Sequence, residues 1–265
     1  MRVRDRVGLN FPPLLLRIML GGIVLWMGLG KIMGKFEVDG QRAATLANMG
    51  VTLAPVALPK ATEPAKPAET PKPSDSKGGA QVPRNPAVTL VSQQTNAAKS
   101  PGQYTAADFP NPISVRTLHV LSLSIADAAQ SKDKDGNPVP SIWPEALAKG
   151  PWPVYIAWTA AIVETLAGVG LLVGLLTRLW ALLLTGRMLA AIWLATIGPA
   201  IRSGHAVLGF LPDYPTFDAE KWKTPMLQLA LLATAAALLF LGPGRASVDH
   251  AIFAPPREDD DEESE

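Results

Sequence analysis

Residues 152–200 read WPVYIAWTAAIVETLAGVGLLVGLLTRLWALLLTGRMLAAIWLATIGPA, and three charged side chains interrupt them: Glu164, Arg178 and Arg187. A hydrocarbon core about 30 Å thick is crossed by roughly 20 apolar residues in a helix. The stretch holds two such runs, Trp152–Leu176 and Leu179–Ala200, joined by Leu176-Thr177-Arg178-Leu179. So short a connection predicts an antiparallel membrane hairpin. Backbone polar groups have no water to bond in lipid, so each run must be a helix.

Two more runs lie outward from this hairpin. Phe11–Gly34 carries only Arg17 and Lys31, and Pro225–Gly242 carries no charge. Four continuous apolar runs leave no polar face, which excludes buried helices of a soluble protein. The first run follows Arg2, Arg4 and Arg6 as a signal peptide would. It is too long for one and no small-residue cleavage site closes it, so it reads as a retained helix. The predicted fold is an all-α four-transmembrane-helix bundle with a long insert between helices 1 and 2.

The boundaries follow from composition. Residues 1–53 hold the N-terminal segment and the first span, 54–150 the insert, 151–250 the other three spans, and 251–265 an acidic tail. From Ala54 to Gly102 there are nine prolines among Ala, Lys, Glu, Ser and Thr, so a disordered tether is expected to about residue 103. Ile113–Ala129 is patterned as one short helix or strand. Asp133-Lys134-Asp135-Gly136 is a turn, with its glycine too early for a calcium loop and no closing Glu. The chain is 48% apolar and its formal charge is +1. Seven acids in Glu258–Glu265 mask a body with 24 basic and 16 acidic side chains. The basic residues near the spans divide evenly between the two sides, so the three arginines flanking the first helix decide. Both termini are expected in the cytoplasm, with the chain in a bacterial inner membrane.

There is no cysteine, which excludes a disulfide, a thiol nucleophile, a cysteine-held cluster and Cys-ligated zinc. His119, His205 and His250 fall outside the spans or at their edges, so no bis-His haem site is expected. No phosphate loop, dinucleotide fingerprint or nucleic-acid-binding pattern is present.

Charges inside a span are expensive and usually have a partner or a task. At about 1.5 Å per residue, Arg17 lies roughly 9 Å, Arg187 roughly 12 Å and Glu164 roughly 18 Å from the same side. Depth and sign predict that Glu164 pairs with Arg187, Arg17 or both. Lys31, at the far end of helix 1, either snorkels to the headgroups or serves a ligand. Two readings of the cluster stay open: an ionic staple that fixes which helices pack, or a proton-handling site for a lipid-soluble substrate. The pairs Gly30/Gly34 and Gly170/Gly174 suit close helix packing, within the chain or in a homo-oligomer.

Four motifs occur in order. Leu14-Leu15-Leu16-Arg17 leads to Gly28-Leu29-Gly30-Lys31, and Gln41–Leu53 follows as a short loop. Glu164-Thr165-Leu166-Ala167-Gly168 leads to Gly174-Leu175-Leu176-Thr177-Arg178. Gly242-Pro243-Gly244-Arg245-Ala246-Ser247-Val248-Asp249 closes helix 4. On these residues the sequence resembles the DoxX family of small four-helix membrane proteins, over roughly 11–54 and 151–250. The resemblance implies a membrane subunit of quinone-linked thiosulfate oxidation, or a partner of thiol and oxidative-stress enzymes. In that reading Glu164 is the catalytic proton carrier, and Arg17 and Arg187 face negative charge on quinone oxygens. No redox centre is encoded, so the quinone or a partner enzyme supplies it. A noncatalytic anchor or assembly factor, recruiting its partner through the Pro-rich insert, is the alternative. A transporter is disfavoured by four spans without broken-helix repeats. The Gly242-Pro243-Gly244 element is expected to stop helix 4 sharply, with Ser247 and Asp249 capping a short segment beyond it.

Overall fold

A computed structural model describes residues 3–53, 100–132 and 136–253. The expected tether, the Asp133/Asp135 turn and the acidic tail lie wholly or mostly outside these residues. The elements in order are α1 (Val3–Met33), β1 (Lys35–Val38), α2 (Gly40–Asn48), β2 (Ile113–Arg116), α3 (His119–Ala129), α4 (Glu145–Ala148) and α5 (Trp152–Val173). Then come α6 (Thr177–Ile192), a π-helical turn (Trp193–Ile197), α7 (Gly198–Arg202), α8 (Ala219–Leu241) and α9 (Val248–Phe253). Four helical stretches are long and apolar enough to cross a membrane: Phe11–Met33, Trp152–Val173, Thr177–Arg202 and Ala219–Leu241. The chain is a four-helix membrane bundle.

One core joins all four spans. Leu20 and Val24 of α1, Ala167 and Leu171 of α5, Ala181, Leu184 and Met188 of α6, and Leu231, Ala235 and Leu238 of α8 are buried together. Large apolar side chains such as Trp26 and Phe240 point outward, as a lipid-facing surface requires. The glycines of α1 and α5 set the register between those helices. A Cβ on Gly28 would lie 2.6 Å from the Thr165 hydroxyl, and one on Gly168 would lie 2.6 Å from the Leu25 backbone nitrogen. Backbones this close gain dispersion contact that lipid cannot replace. We expect Gly168→Ala to force α1 and α5 apart and to destabilise the bundle by about 1–3 kcal/mol. Gly22, whose Cβ would meet open space, serves as the control. Thermal denaturation in detergent should show a lower midpoint for Gly168→Ala and none of that loss for Gly22→Ala.

Two boundaries differ from the sequence reading. The fourth helix starts at Ala219 rather than Pro225, because the Asp218 carboxylate accepts from Lys221 N (3.3 Å) and nucleates it earlier. Pro225 then sits inside the helix. The third span is continuous to Arg202 but widens to a π turn at Trp193–Ile197. Ile142 packs against Gly198 there, and its carbonyl accepts from Trp193 Nε1 (3.0 Å). A bulge of this kind absorbs an inserted side chain and sits just before Pro199, which cannot donate a helix bond.

The described part of the insert is folded. Strand β1 pairs antiparallel with β2, Phe36 opposite Val115, so the two ends of the insert leave and return side by side. The Asp39 carboxylate caps α2 by accepting from Arg42 N (2.9 Å). Asn48 receives the returning chain: its Oδ1 accepts from Gly102 N and Tyr104 N, and its Nδ2 donates to Tyr104 O. Val38, Ala43, Leu46, Ala47, Phe109, Val115 and Leu123 form a second small core under this cap. Gln41–Leu53, read as a short loop, is therefore mostly the helix α2. Ile113–Ala129, read as one helix or one strand, is a strand and then a helix.

Candidate functional site: an ionic cluster between three helices

Pro153, Ala157, Ala161, Glu164, Ala167, Gly168 and Leu171 are the buried positions along α5. Their three- and four-residue spacing is one helix face, and Glu164 stands in its middle. That spacing, not an insertion or a kink, puts the carboxylate inside the bundle. The Glu164 residue is 1% exposed.

Two cations meet it, one at each oxygen. Arg187 of α6 brings Nε to 3.1 Å from Oε1, an ion-pair distance without the alignment of a hydrogen bond. Lys31 of α1 donates a hydrogen bond from Nζ to Oε2. Both cations are partly buried. Of the partners expected for Glu164, Arg187, Arg17 or both, Arg187 is the one that pairs with it. Lys31 is the second partner instead of snorkelling. The physical reason is the register between α1 and α5. Gly28 meets Thr165 and Gly174 meets the Arg17 guanidinium, so α1 ends well short of the Trp152 end of α5. Lys31 thus lies beside the middle of α5, and Arg17 lies level with its last turn.

Arg17 organises the end of the bundle that holds the α5–α6 turn. It is 2% exposed. Its Nε donates to Leu171 O (3.1 Å) and its Nη2 to Leu172 O (3.5 Å), two of the last carbonyls of α5. Its Nη1 donates to Pro243 O and Ala246 O, both at 2.8 Å, in the segment after α8. Helix-end carbonyls are otherwise orphaned, and a planar guanidinium satisfies several at once.

The remaining motif residues gather at the same end. Gly174 and Leu176 both have positive φ, and no side chain at Leu176 caps α6. Asp249 does so from the far end of the chain. Its two carboxylate oxygens accept from Leu176 N (2.6 Å) and Thr177 N (2.8 Å), and its own N–H donates to Gly174 O (3.0 Å). Ser247 Oγ caps α9 by accepting from His250 N (3.1 Å) and donates to Gly244 O (2.7 Å). The expectation that Ser247 and Asp249 both cap the following segment holds for Ser247 alone. Gly242, at φ +78°, ends α8 against the Arg178 guanidinium, and Pro243 and Gly244 turn the chain back toward Arg17; Arg245 follows in that turn. Thr177 is buried with its hydroxyl unpartnered. This end is a structural closure, and Glu164, Lys31 and Arg187 form the separate polar centre of the bundle.

Gly170 is tight against the Trp180 indole and Gly34 against Thr117, while Gly30 faces open space. Thr196 Oγ1 donates to Gln228 Oε1 (3.3 Å), tying the third span to α8. His119 is buried at the start of α3 with Nδ1 unpartnered, His205 lies in the loop before α8, and His250 lies in α9. Lys31 was legible as a charge near a span end. What the sequence lacked was any sign of how far α1 slides along α5.

No curated protein and no solved structure matches the chain. A family model described as DoxX matches residues 142–197, which run from Ile142 through α5 and α6 and include Glu164, the α5–α6 turn and Arg187. The chain is therefore a multi-pass membrane protein whose α5–α6 hairpin is similar to the DoxX family over residues 142–197.

Proposed function

We propose that the protein is the membrane subunit, or a membrane partner, of a quinone-linked oxidoreductase system acting on sulfur, thiol or oxidative-stress substrates. The observation that supports this reading is the charge count of the cluster: two cations against one carboxylate, deep among apolar helices. Buried charge in such surroundings is costly unless it serves pairing or chemistry. Arg187 uses Nε on Glu164, and its outer nitrogens make no hydrogen bond among the described residues. Those donors fit a carbonyl oxygen of a lipid-soluble acceptor such as a quinone. When bound, a quinone supplies the two-electron acceptor that the chain lacks. Glu164 would pass a proton through a carboxylate oxygen, Arg187 would face developing negative charge, and Lys31 would do so where the sequence reading puts Arg17. Electrons come from the partner, because the chain has no thiol or cluster of its own.

The test is purification from native membranes in mild detergent, with co-purifying proteins identified by mass spectrometry and bound lipids extracted. A thiol-, sulfur- or peroxide-handling enzyme together with quinone is the expected result. Envelope or assembly proteins without either would sink the redox reading.

An anchoring role is the second reading. It is supported by Asn48, which pins Gly102 and Tyr104 to the end of α2, so the intervening segment starts and finishes on one folded platform. Deleting residues 56–97 leaves that platform untouched. An anchor that recruits through the insert should then lose its partner, whereas a bundle-based redox unit should keep it.

A further inference from the structure

We propose that Thr117 and Leu118 are positioning residues of the Glu164 cluster, so that the folded part of the insert sets where the Lys31 ammonium stands. The inference concerns the chain alone and does not depend on the quinone reading.

Four observations carry it. First, α1 covers only one part of α5. Gly21 meets Gly168 and Leu172, Gly28 meets Thr165, and Ile32 packs near Ala161. Beyond Ala161, about 13 Å of α5 has no α1 beside it. Second, α3 takes over there. Leu118 and Leu121 pack with Ala157, Ala161 and Trp158, and Ser122 Oγ donates to Pro153 O (3.2 Å). Rising numbers along α3 meet falling numbers along α5, as they do for α1. The insert therefore returns as the second half of the first helix, in line with it.

Third, the seam between the two halves is hydrogen-bonded through the residue that bears the ammonium. Leu118 N donates to Lys31 O (2.9 Å), and Thr117 N donates to Gly34 O (2.9 Å). The last carbonyls of a helix have no partner within it, and here the turn leading into α3 supplies two donors. The same Lys31 whose carbonyl is held by the insert reaches Glu164 with its Nζ. Fourth, the seam is tight and anchored. A Cβ on Gly34 would collide with the Gly30 carbonyl and would lie 2.7 Å from the Thr117 hydroxyl. Arg116, just before the seam, lies over the Trp158 ring at 5.2 Å and ties the strand end to α5. A displacement of β2 and α3 must therefore move the end of α1, and Lys31 lies two residues before Met33, where α1 ends.

The full-length chain tests this in detergent. A lipid-soluble carbodiimide condenses an ammonium in contact with a carboxylate, with loss of water, into an isopeptide bond that mass spectrometry locates. The wild type should yield a Lys31–Glu164 cross-link. Gly34→Ala, which spreads the seam, should lower its yield at least several-fold, while Gly22→Ala should leave it unchanged. A second variant, with two glycines inserted between Leu118 and His119, lets α3 stay on α5 and frees Thr117, Leu118 and the end of α1 from it. It should lose the cross-link too, which keeps the proposal testable if Gly34→Ala fails to fold. The chain has no native cysteine, so Glu37→Cys with Ser114→Cys can close one disulfide across a paired position of the strands. That lock should preserve the wild-type yield. An undiminished cross-link in a folded seam variant, or in the glycine insertion, would overturn the proposal.

Discussion

Truncating Arg17 to Ala should destabilise the bundle by about 3–5 kcal/mol, the cost of breaking a buried charged network from one side. The guanidinium bonds four carbonyls from two separate segments, the end of α5 and the turn after α8. Its removal orphans the buried Leu171 carbonyl and takes the donor from three part-buried ones, and a buried orphan costs about 1–3 kcal/mol. Arg17→Lys should recover little, because one ammonium cannot present the planar fork that reaches both segments. The check is the thermal midpoint in detergent, with limited proteolysis after Leu241 as a local probe. The variant should expose the 243–250 segment before the rest of the bundle melts. An Arg17→Ala protein with a wild-type midpoint and a protected 243–250 segment would refute this account.

Glu164→Gln should be of similar size, about 3–5 kcal/mol, for a different reason. The amide keeps the shape but leaves Lys31 and Arg187 facing each other with no counter-charge. A companion variant separates staple from site. Replacing the cluster together, Glu164→Leu with Lys31→Met and Arg187→Met, removes every buried charge. Apolar replacements of a whole buried ion network are often neutral or stabilising by about 1–4 kcal/mol. The triple variant should therefore melt at or above the wild-type midpoint. If the cluster only fixes packing, partner-dependent activity survives the triple change. If it handles protons, activity is lost while the fold is kept. An unchanged midpoint for Glu164→Gln would mean that the pairing contributes nothing.

The spans, the hairpin turn and the burial of Glu164 were legible because lipid imposes one rule on every residue: long apolar runs become helices, and their charges turn inward. Glu164 with Arg187 was legible because Thr177 follows Gly174 so closely that only one register suits the hairpin. Arg17 was misplaced because depth counted from the end of an apolar run assumes that all runs start at one plane. The glycine contacts of α1 slide it instead, and they depend on which α5 residues lie opposite. Helix α3 was illegible as a part of the first span. A helix of eleven residues is too short to cross a membrane, and nothing local says that it continues another helix. The cap on α6 was illegible for a similar reason. Position 176 is a leucine with no capping oxygen, and the carboxylate that serves it lies 73 residues away.

The closure built by Arg17 and Asp249 bears on how the protein is made. Arg17 is synthesised 226 and 229 residues before two of its acceptors, Pro243 O and Ala246 O. The turn between α5 and α6 is likewise left with bare amides until Asp249 arrives. During synthesis the first three spans must wait in the membrane with their charged end unfinished. The last residues of the fourth span's exit then complete it in one step. A chain that stops before Asp249 leaves the amides of Leu176 and Thr177 without their cap. The turn after α8 thus marks that synthesis has passed Asp249, and a truncation between Leu241 and Asp249 would erase it.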